Sequence, residues 1–316
     1  MSQKTLITVI VPVLNEVENV AELHRRLSAV SAGLEDEYRF EFLFTDNRST
    51  DGTFELLRDL AANDARIRVL RFSKDFGFQL SILTGYLEAR GDAAIQIDAD
   101  MQDPPELIPR FLSLWRAGND VVFGIRGKRH ESRLLGLGRK LFYRIINWLS
   151  EDELPADAGD FRLVDRKVVE VLRQIDDYHP YLRGLIASFG FEQVGVPYDR
   201  APREHGESKF SIRRLISLAA DGILLHSVVP LRIANWIGLV LSAVMLGVIG
   251  FYLYAQIILD RDLPAGFVTT TVLIMTGIIL NALFLGIIGA YLGRIYQQVK
   301  RRPITIVEQR IDPPGS

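Results

Sequence analysis

Two long stretches near the carboxyl end carry no charge, and they limit what the chain can fold into more than any other feature. Residues 236–259 and 263–293 contain no Asp, Glu, Lys or Arg and are separated only by Asp260-Arg261-Asp262. As a helix the first run is about 36 Å long, against roughly 30 Å of bilayer hydrocarbon, and the second is longer. One such run is compatible with a buried core helix, whereas two in succession predict a transmembrane hairpin. Lys209, Arg213, Arg214 and Arg232 precede the first run, and Arg294, Lys300, Arg301 and Arg302 follow the second. The connecting loop has Arg261 alone. Positive flanks stay inside, which predicts both termini and the large N-terminal domain on the cytoplasmic side of an integral membrane protein. The spacing Gly289-x-x-x-Gly293 permits close helix approach, within the hairpin or between subunits, and is compatible with a homo-oligomer.

Composition supports this division. Mean hydropathy is mildly positive although 24% of residues are charged, so apolar residues must be concentrated in one region. A formal net charge of -2 excludes a general attraction to nucleic acid. With no cysteine, disulfide and thiolate–metal chemistry are excluded, and the five histidines lack ligand spacing. Met1-Ser2-Gln3-Lys4-Thr5 leads directly into a strand-like run, so no secretory signal peptide is expected. The domain reading is 1–230 catalytic, 231–293 transmembrane and 294–316 a basic cytoplasmic tail.

Residues 1–230 alternate apolar runs with amphipathic segments. Strands are predicted at 6–11, 40–44, 67–72, 93–97 and 121–123, and helices at 17–32, 53–62, 78–89 and 104–117. This alternation predicts an α/β fold with a mostly parallel sheet and flanking helices. In such sheets ligands bind beyond the carboxyl ends of the strands.

Three of those ends are polar. Strand one runs into Val11-Pro12-Val13-Leu14-Asn15-Glu16, where Asn15 and Glu18 could form a capping box for the next helix. Strand two runs into Thr45-Asp46-Asn47-Arg48-Ser49-Thr50-Asp51-Gly52-Thr53, a second acid-bearing turn suited to a ribose and base. The strongest signal is Ile97-Asp98-Ala99-Asp100-Met101-Gln102-Asp103-Pro104-Pro105-Glu106. Residues two apart in extended chain point the same way, so Asp98 and Asp100 can share one site. Converging carboxylates call for a cation, and Mg²⁺ or Mn²⁺ held by carboxylates and phosphate oxygens fits.

Taken together these motifs resemble the family 2 glycosyltransferases with the GT-A fold. More narrowly they are similar to the polyprenyl-phosphate branch, which includes dolichyl-phosphate mannose synthase and bacterial undecaprenyl-phosphate glycosyltransferases. The other carriers are Ser73-Lys74-Asp75-Phe76-Gly77, Asp157-Ala158-Gly159-Asp160-Phe161-Arg162, Arg203-Glu204-His205-Gly206-Glu207-Ser208-Lys209 and Gly293-Arg294-Ile295-Tyr296. The resemblance covers nearly the whole chain. It implies that Pro12, Asn15, Glu16, Asp46 and Asp98 hold the nucleotide, and that Asp98, Asp100 and Gln102 serve the metal and diphosphate. It makes Asp157 and Asp160 rival acidic residues near the acceptor. Asn47 and Arg48 depart from the family pattern, which more often has Asp and Gly there.

The implied reaction is inverting transfer of a sugar, with glucose from UDP-glucose the best guess, onto a polyprenyl phosphate at the cytoplasmic membrane face. The second pKa of a phosphate monoester is about 6, so the acceptor oxygen is largely ionised already and needs little help from a base. Its charge does need cations, for which Arg126, Arg139, Arg203 and Lys209 are candidates, with Ser208 beside them. The segments 138–149 and 209–225 mix basic with apolar and aromatic residues and predict amphipathic helices at the membrane interface. Two other readings stay open: a processive polysaccharide synthase, and a catalytically silent nucleotide-sugar-binding membrane protein. The first usually carries more spans and a Gln-x-x-Arg-Trp motif that this chain lacks.

Overall fold

The computed structural model describes residues 4–126, 158–175, 181–199, 231, 236–240, 243–244, 247, 254, 266–300 and 303–313. The first half alternates strictly: β1 (Thr5–Val13), α1 (Val17–Ala32), β2 (Tyr38–Asp46), α2 (Thr53–Asn63), β3 (Ile67–Phe72), α3 (Phe78–Glu88) and β4 (Ala93–Gln96). A 3-10 turn at Pro105–Leu107 leads into α4 (Ile108–Arg116) and then β5 (Val121–Arg126). After these come β6 (Ala158–Asp165), α5 (Arg166–Arg173), α6 (Leu182–Ser188), β7 (Gln193–Tyr198), α7 (Phe267–Val299) and β8 (Val307–Ile311).

The strands form one eight-stranded sheet in the order β7-β5-β6-β4-β1-β2-β3-β8. β4, β1, β2 and β3 are mutually parallel, whereas β6 and β8 run antiparallel to their neighbours. The parallel strands read as apolar runs because both their faces are covered. On one side Val9 and Val11 meet Val20, Leu23 and Leu27 of α1, residues spaced three and four apart as an amphipathic stripe requires. On the other, Ile10 and Leu43 pack under Ile82, Leu83 and Tyr86 of α3. Contact there is close: a Cβ on Gly85 would lie 2.3 Å from Ile10 Cγ2. At Gly91 a Cβ would meet backbone on three sides, at 2.7 Å from Ala93 O and Thr8 N and 2.8 Å from Leu6 O.

The predicted mostly parallel α/β sheet is present, and its first five strands and four helices fall where the apolar pattern places them, within a few residues at each end. β6 is new. Being antiparallel, it brings its own start, rather than its end, to the edge where β1, β2 and β4 finish. β8 is also new and lies within the segment read as a basic tail. It pairs with β3 through Val69↔Ile311, Leu70↔Arg310 and Arg71↔Gln309, and an ion-pair network fastens it. Arg68, 2% exposed, donates to Glu41 and Asp312, each at 2.9 Å, and to the Glu88 carbonyl. Glu41 also accepts from the Thr8 hydroxyl at 2.7 Å, Arg310 forks onto Glu88, and Arg48 pairs with Glu308.

The second uncharged run forms most of α7, a separate unit. Its 33 residues extend for about 50 Å, and the window 273–293 is long and apolar enough to cross a membrane, with none of it buried. In the first run the described positions 236–240, 243, 244, 247 and 254 are helical, and Trp236 is 68% exposed. The interface helices expected at 138–149 and 209–225 lie outside the described residues.

Candidate active site

Among the described residues three non-glycine positions have positive φ: Asn15 (57°), Arg48 (67°) and Met101 (60°). They follow β1, β2 and β4, which are neighbours in the sheet. A left-handed L-residue costs about 1–2 kcal/mol, and such strain collects where backbone geometry serves a site. Arg48 takes the conformation that a glycine would supply, so its departure from the family pattern leaves the turn intact. Pro12 is tolerated in a central strand because the β1–β4 ladder has already ended at Ile10↔Gln96.

Asn15 does not cap α1, so the capping box expected from sequence is not formed. The α1 N-cap is Glu16, without a side-chain cap bond. The turn after β2 takes over this task. Ser49 Oγ accepts from Asn15 N at 2.9 Å, Thr53 Oγ1 from Glu16 N at 2.9 Å and Asp51 from Val17 N at 3.2 Å, while Asn15 Oδ1 accepts from Thr50 N at 2.8 Å. Two turns that looked separate in sequence are one hydrogen-bonded wall. Asp46 is buried beneath it, with Oδ1 accepting from Ser49 N at 3.0 Å. Its Oδ2 lies 3.7 Å from Arg71 Nε, and neither atom has a hydrogen-bond partner among the described residues. Burial pushes the Asp46 carboxyl up.

Beyond β4, Asp98 and Asp100 are each partly exposed on either side of buried Ala99, with Ala99 and Asp100 in a turn rather than in extended chain. Gln96 Nε2 holds Asp98 Oδ1 at 2.8 Å, and Gln102 N donates to Asp100 Oδ1 at 3.2 Å. Gln102 is 8% exposed. The helical turn that follows starts with Pro105 at its first position and Pro104 as N-cap, one residue later than expected.

Next to β4, β6 supplies a polar cluster on the α3 side of the sheet. Gln96 is paired with Arg162, and Asp160 lies two residues further on the same face. Asp160 Oδ1 accepts from Arg183 Nε at 2.7 Å and its Oδ2 from Nη2, a bidentate pair. Arg162 is 4% exposed and donates to the Gly159 carbonyl at 3.1 Å. Burial pushes its guanidinium down and the nearby Tyr86 phenol up. For Arg183 burial has the same lowering effect, but the Asp160 bond outweighs it and holds the charge.

The structure therefore gathers Pro12, Asn15, Glu16, Asp46, Asp98, Asp100, Gln102 and Asp160 at one edge of the sheet. Arg126 ends β5 at that edge, opposite Tyr198. Asp157, Arg139, Arg203, Ser208 and Lys209 lie outside the described residues. Arg162 and Arg183 were not singled out as site residues from sequence. The Arg-Gly of Leu182-Arg183-Gly184 has no local signature, and its partner is 23 residues away.

The chain is similar to known proteins over most of its length. The family model for glycosyl transferase family 2 matches residues 8–173. Glycosyltransferase YkcC of Bacillus subtilis (strain 168) is 36% identical over 310 residues, covering 98% of this chain and 95% of the relative. Bactoprenol glucosyl transferase of Shigella phage SfII is 32% identical, covering 96% and 97%. Among solved structures, glucosyl-3-phosphoglycerate synthase from Mycobacterium tuberculosis, in complex with Mn²⁺, UDP and phosphoglyceric acid, aligns at a TM-score of 0.48 and 19% identity over 70% of this chain and 76% of that one. The chain is a glycosyltransferase and belongs to glycosyl transferase family 2.

Proposed function

We propose that this glycosyltransferase moves glucose from UDP-glucose onto a polyprenyl phosphate, undecaprenyl phosphate being the acceptor favoured, at the cytoplasmic face of a membrane that its apolar segments span. The observation carrying this reading is that the alignment to the bactoprenol glucosyl transferase, at 32% identity, covers 96% of the chain, the apolar helix as well as the sheet. In the reaction an acceptor phosphate oxygen attacks the anomeric carbon, the bond from that carbon to the β-phosphate oxygen breaks, UDP leaves, and the configuration inverts.

Asp98 and Asp100 fit a divalent cation: they are hard oxygen donors, partly exposed just beyond a strand end. Among the described residues no three His, Cys, Asp or Glu side chains converge on a metal position; diphosphate oxygens would share the coordination of a cation held by Asp98 and Asp100. Mg²⁺ or Mn²⁺, when bound, offsets charge on the leaving diphosphate. Gln102 buttresses Asp100 through its backbone N–H. The wall made by Asn15, Glu16 and the 46–53 turn suits the nucleoside. Arg126, Arg139, Arg203, Ser208 and Lys209 are assigned to the acceptor phosphate, and Asp157 to its positioning.

The test is a panel of nucleotide sugars incubated with the detergent-solubilised chain and undecaprenyl phosphate, with Mg²⁺, Mn²⁺ or a chelator, read by mass spectrometry of the lipid. A lipid phosphate carrying one hexose, formed from UDP-glucose and lost on chelation, is expected. A polymer would favour the processive synthase. Consumption of no donor at all would favour the silent binding protein.

A further inference from the structure

We infer that Arg183 is a positioning residue for sugar transfer, acting through Asp160, and that the two form a fixed ion pair near Asp98. The inference rests on the donor site proposed above. The β4–β6 ladder runs Ala93↔Asp165, Ala94↔Val164, Ile95↔Leu163 and Gln96↔Arg162 and ends there; Asp98 lies two residues beyond it on one chain segment and Asp160 two residues beyond it on the other. Both acids act on the Arg183 guanidinium, so they lie near enough to one another for their like charges to repel. Left alone, Asp160 would be a second anion facing the diphosphate and a rival to Asp98 for any cation.

Arg183 removes both problems. Its planar fork engages both Asp160 oxygens, through Nε at 2.7 Å and through Nη2, and a bidentate pair fixes direction as well as charge. The Asp160 side chain is 7% exposed and that of Arg183 is 29%, so the acid is sealed behind the base. The guanidinium also lies close enough for its charge to act on Asp98. On the same face, Gln96 Nε2 orients Asp98 by its 2.8 Å bond. Of the two carboxylates, it is Asp98 that is then presented to the donor. Asp160 becomes a counter-ion that keeps the acceptor side of the site rigid, and Lys cannot replace Arg183 fully because an ammonium lacks the fork.

The experiment is a cycle of Arg183→Gln, Asp160→Asn and the double variant, with Arg183→Lys alongside, in the full chain in detergent. Three quantities are read: UDP binding with Mn²⁺ by calorimetry, kcat and KM separately for UDP-glucose, and Tm. Each single neutralisation leaves an unbalanced charge, so Arg183→Gln is expected to weaken UDP–Mn²⁺ binding about tenfold or more and Asp160→Asn to lower kcat on a similar scale. The double variant is expected to recover to within about threefold of wild type in binding, and Arg183→Lys to fall between. A double variant as impaired as Arg183→Gln would overturn the inference. So would an Arg183→Gln chain that binds UDP–Mn²⁺ like wild type, or losses in kcat that merely follow Tm. Wild-type protein that binds UDP–Mn²⁺ but glucosylates no lipid counts against the proposed reaction alone, since the binding cycle still reads the pair.

Discussion

Replacing Arg68 with Met isolates the energetics of the network that fastens β8. Arg68 is 2% exposed, and its guanidinium holds Glu41 Oε1 and Asp312 Oδ1 at 2.9 Å each. The two acids differ. The Glu41 side chain is 10% exposed and that of Asp312 is 34%, so Asp312 can be rehydrated once the Arg is gone and Glu41 cannot. Glu41 would keep the Thr8 hydroxyl at 2.7 Å as a donor, which does not neutralise it. Removing one partner of a buried ion pair costs about 3–5 kcal/mol. At roughly 2–4 °C per kcal/mol for a domain of this size, Tm should fall by about 6–20 °C. Combining Arg68→Met with Glu41→Gln removes the stranded charge and is expected to restore more than half of that loss. Asp312→Asn alone, at a partly exposed position, should cost under about 1 kcal/mol. Thermal unfolding of the full chain in detergent measures all three. An Arg68→Met variant within about 1 kcal/mol of wild type, or a Glu41→Gln change that adds to the damage, would refute the reasoning.

Asp98→Asn and Asp100→Asn should each lower turnover by about 100-fold, on the scale of losing one transition-state charge contact, while leaving Tm near wild type; unchanged turnover would remove them from the site. Gly91→Ala would press a methyl against three backbone atoms that no side-chain rotation can clear, for a loss of about 1–3 kcal/mol or more in urea unfolding; a neutral result would mean the β4 approach is looser than described. Burial raises the Asp64 carboxyl, but Arg66 and His24 outweigh it and hold it well below the usual carboxylate range. A carboxyl depressed on folding stabilises the fold above its unfolded value of about 3.9, and that contribution is lost as pH falls below it. Asp64→Asn should therefore flatten the decline of Tm with acid, and an equally steep decline would count against the assignment.

The parallel half of the sheet was legible because strands covered on both faces are mainly apolar, as 9–11 and 42–44 are, and because Asp98-Ala99-Asp100 lies just beyond such a strand. β6 was not read as a strand because Asp160 and Arg162, both buried, interrupt the pattern that burial normally leaves. β8, Val-Glu-Gln-Arg-Ile, looks like a solvated tail; its charges are answered by Arg48 and Glu88, partners on residues far away in sequence. The Asn15 capping box failed for a similar reason: the competing acceptors, Ser49, Asp51 and Thr53, come from another loop. Local pattern sees the elements, and long-range polar pairing decides how their ends are joined.

The return of β8 has a consequence for how the chain is made. Asp312 meets Arg68 across 244 residues, and everything between them, including α7, leaves the ribosome first. Until β8 arrives, β3 presents an open edge, the kind of surface that pairs with other chains, and Arg68 lacks one of its acids. Synthesis of the apolar helix thus precedes closure of the sheet, so a nascent chain stalled before β8 is the species most exposed to aggregation. A protein built this way couples completion of its enzyme to passage through its most hydrophobic segment.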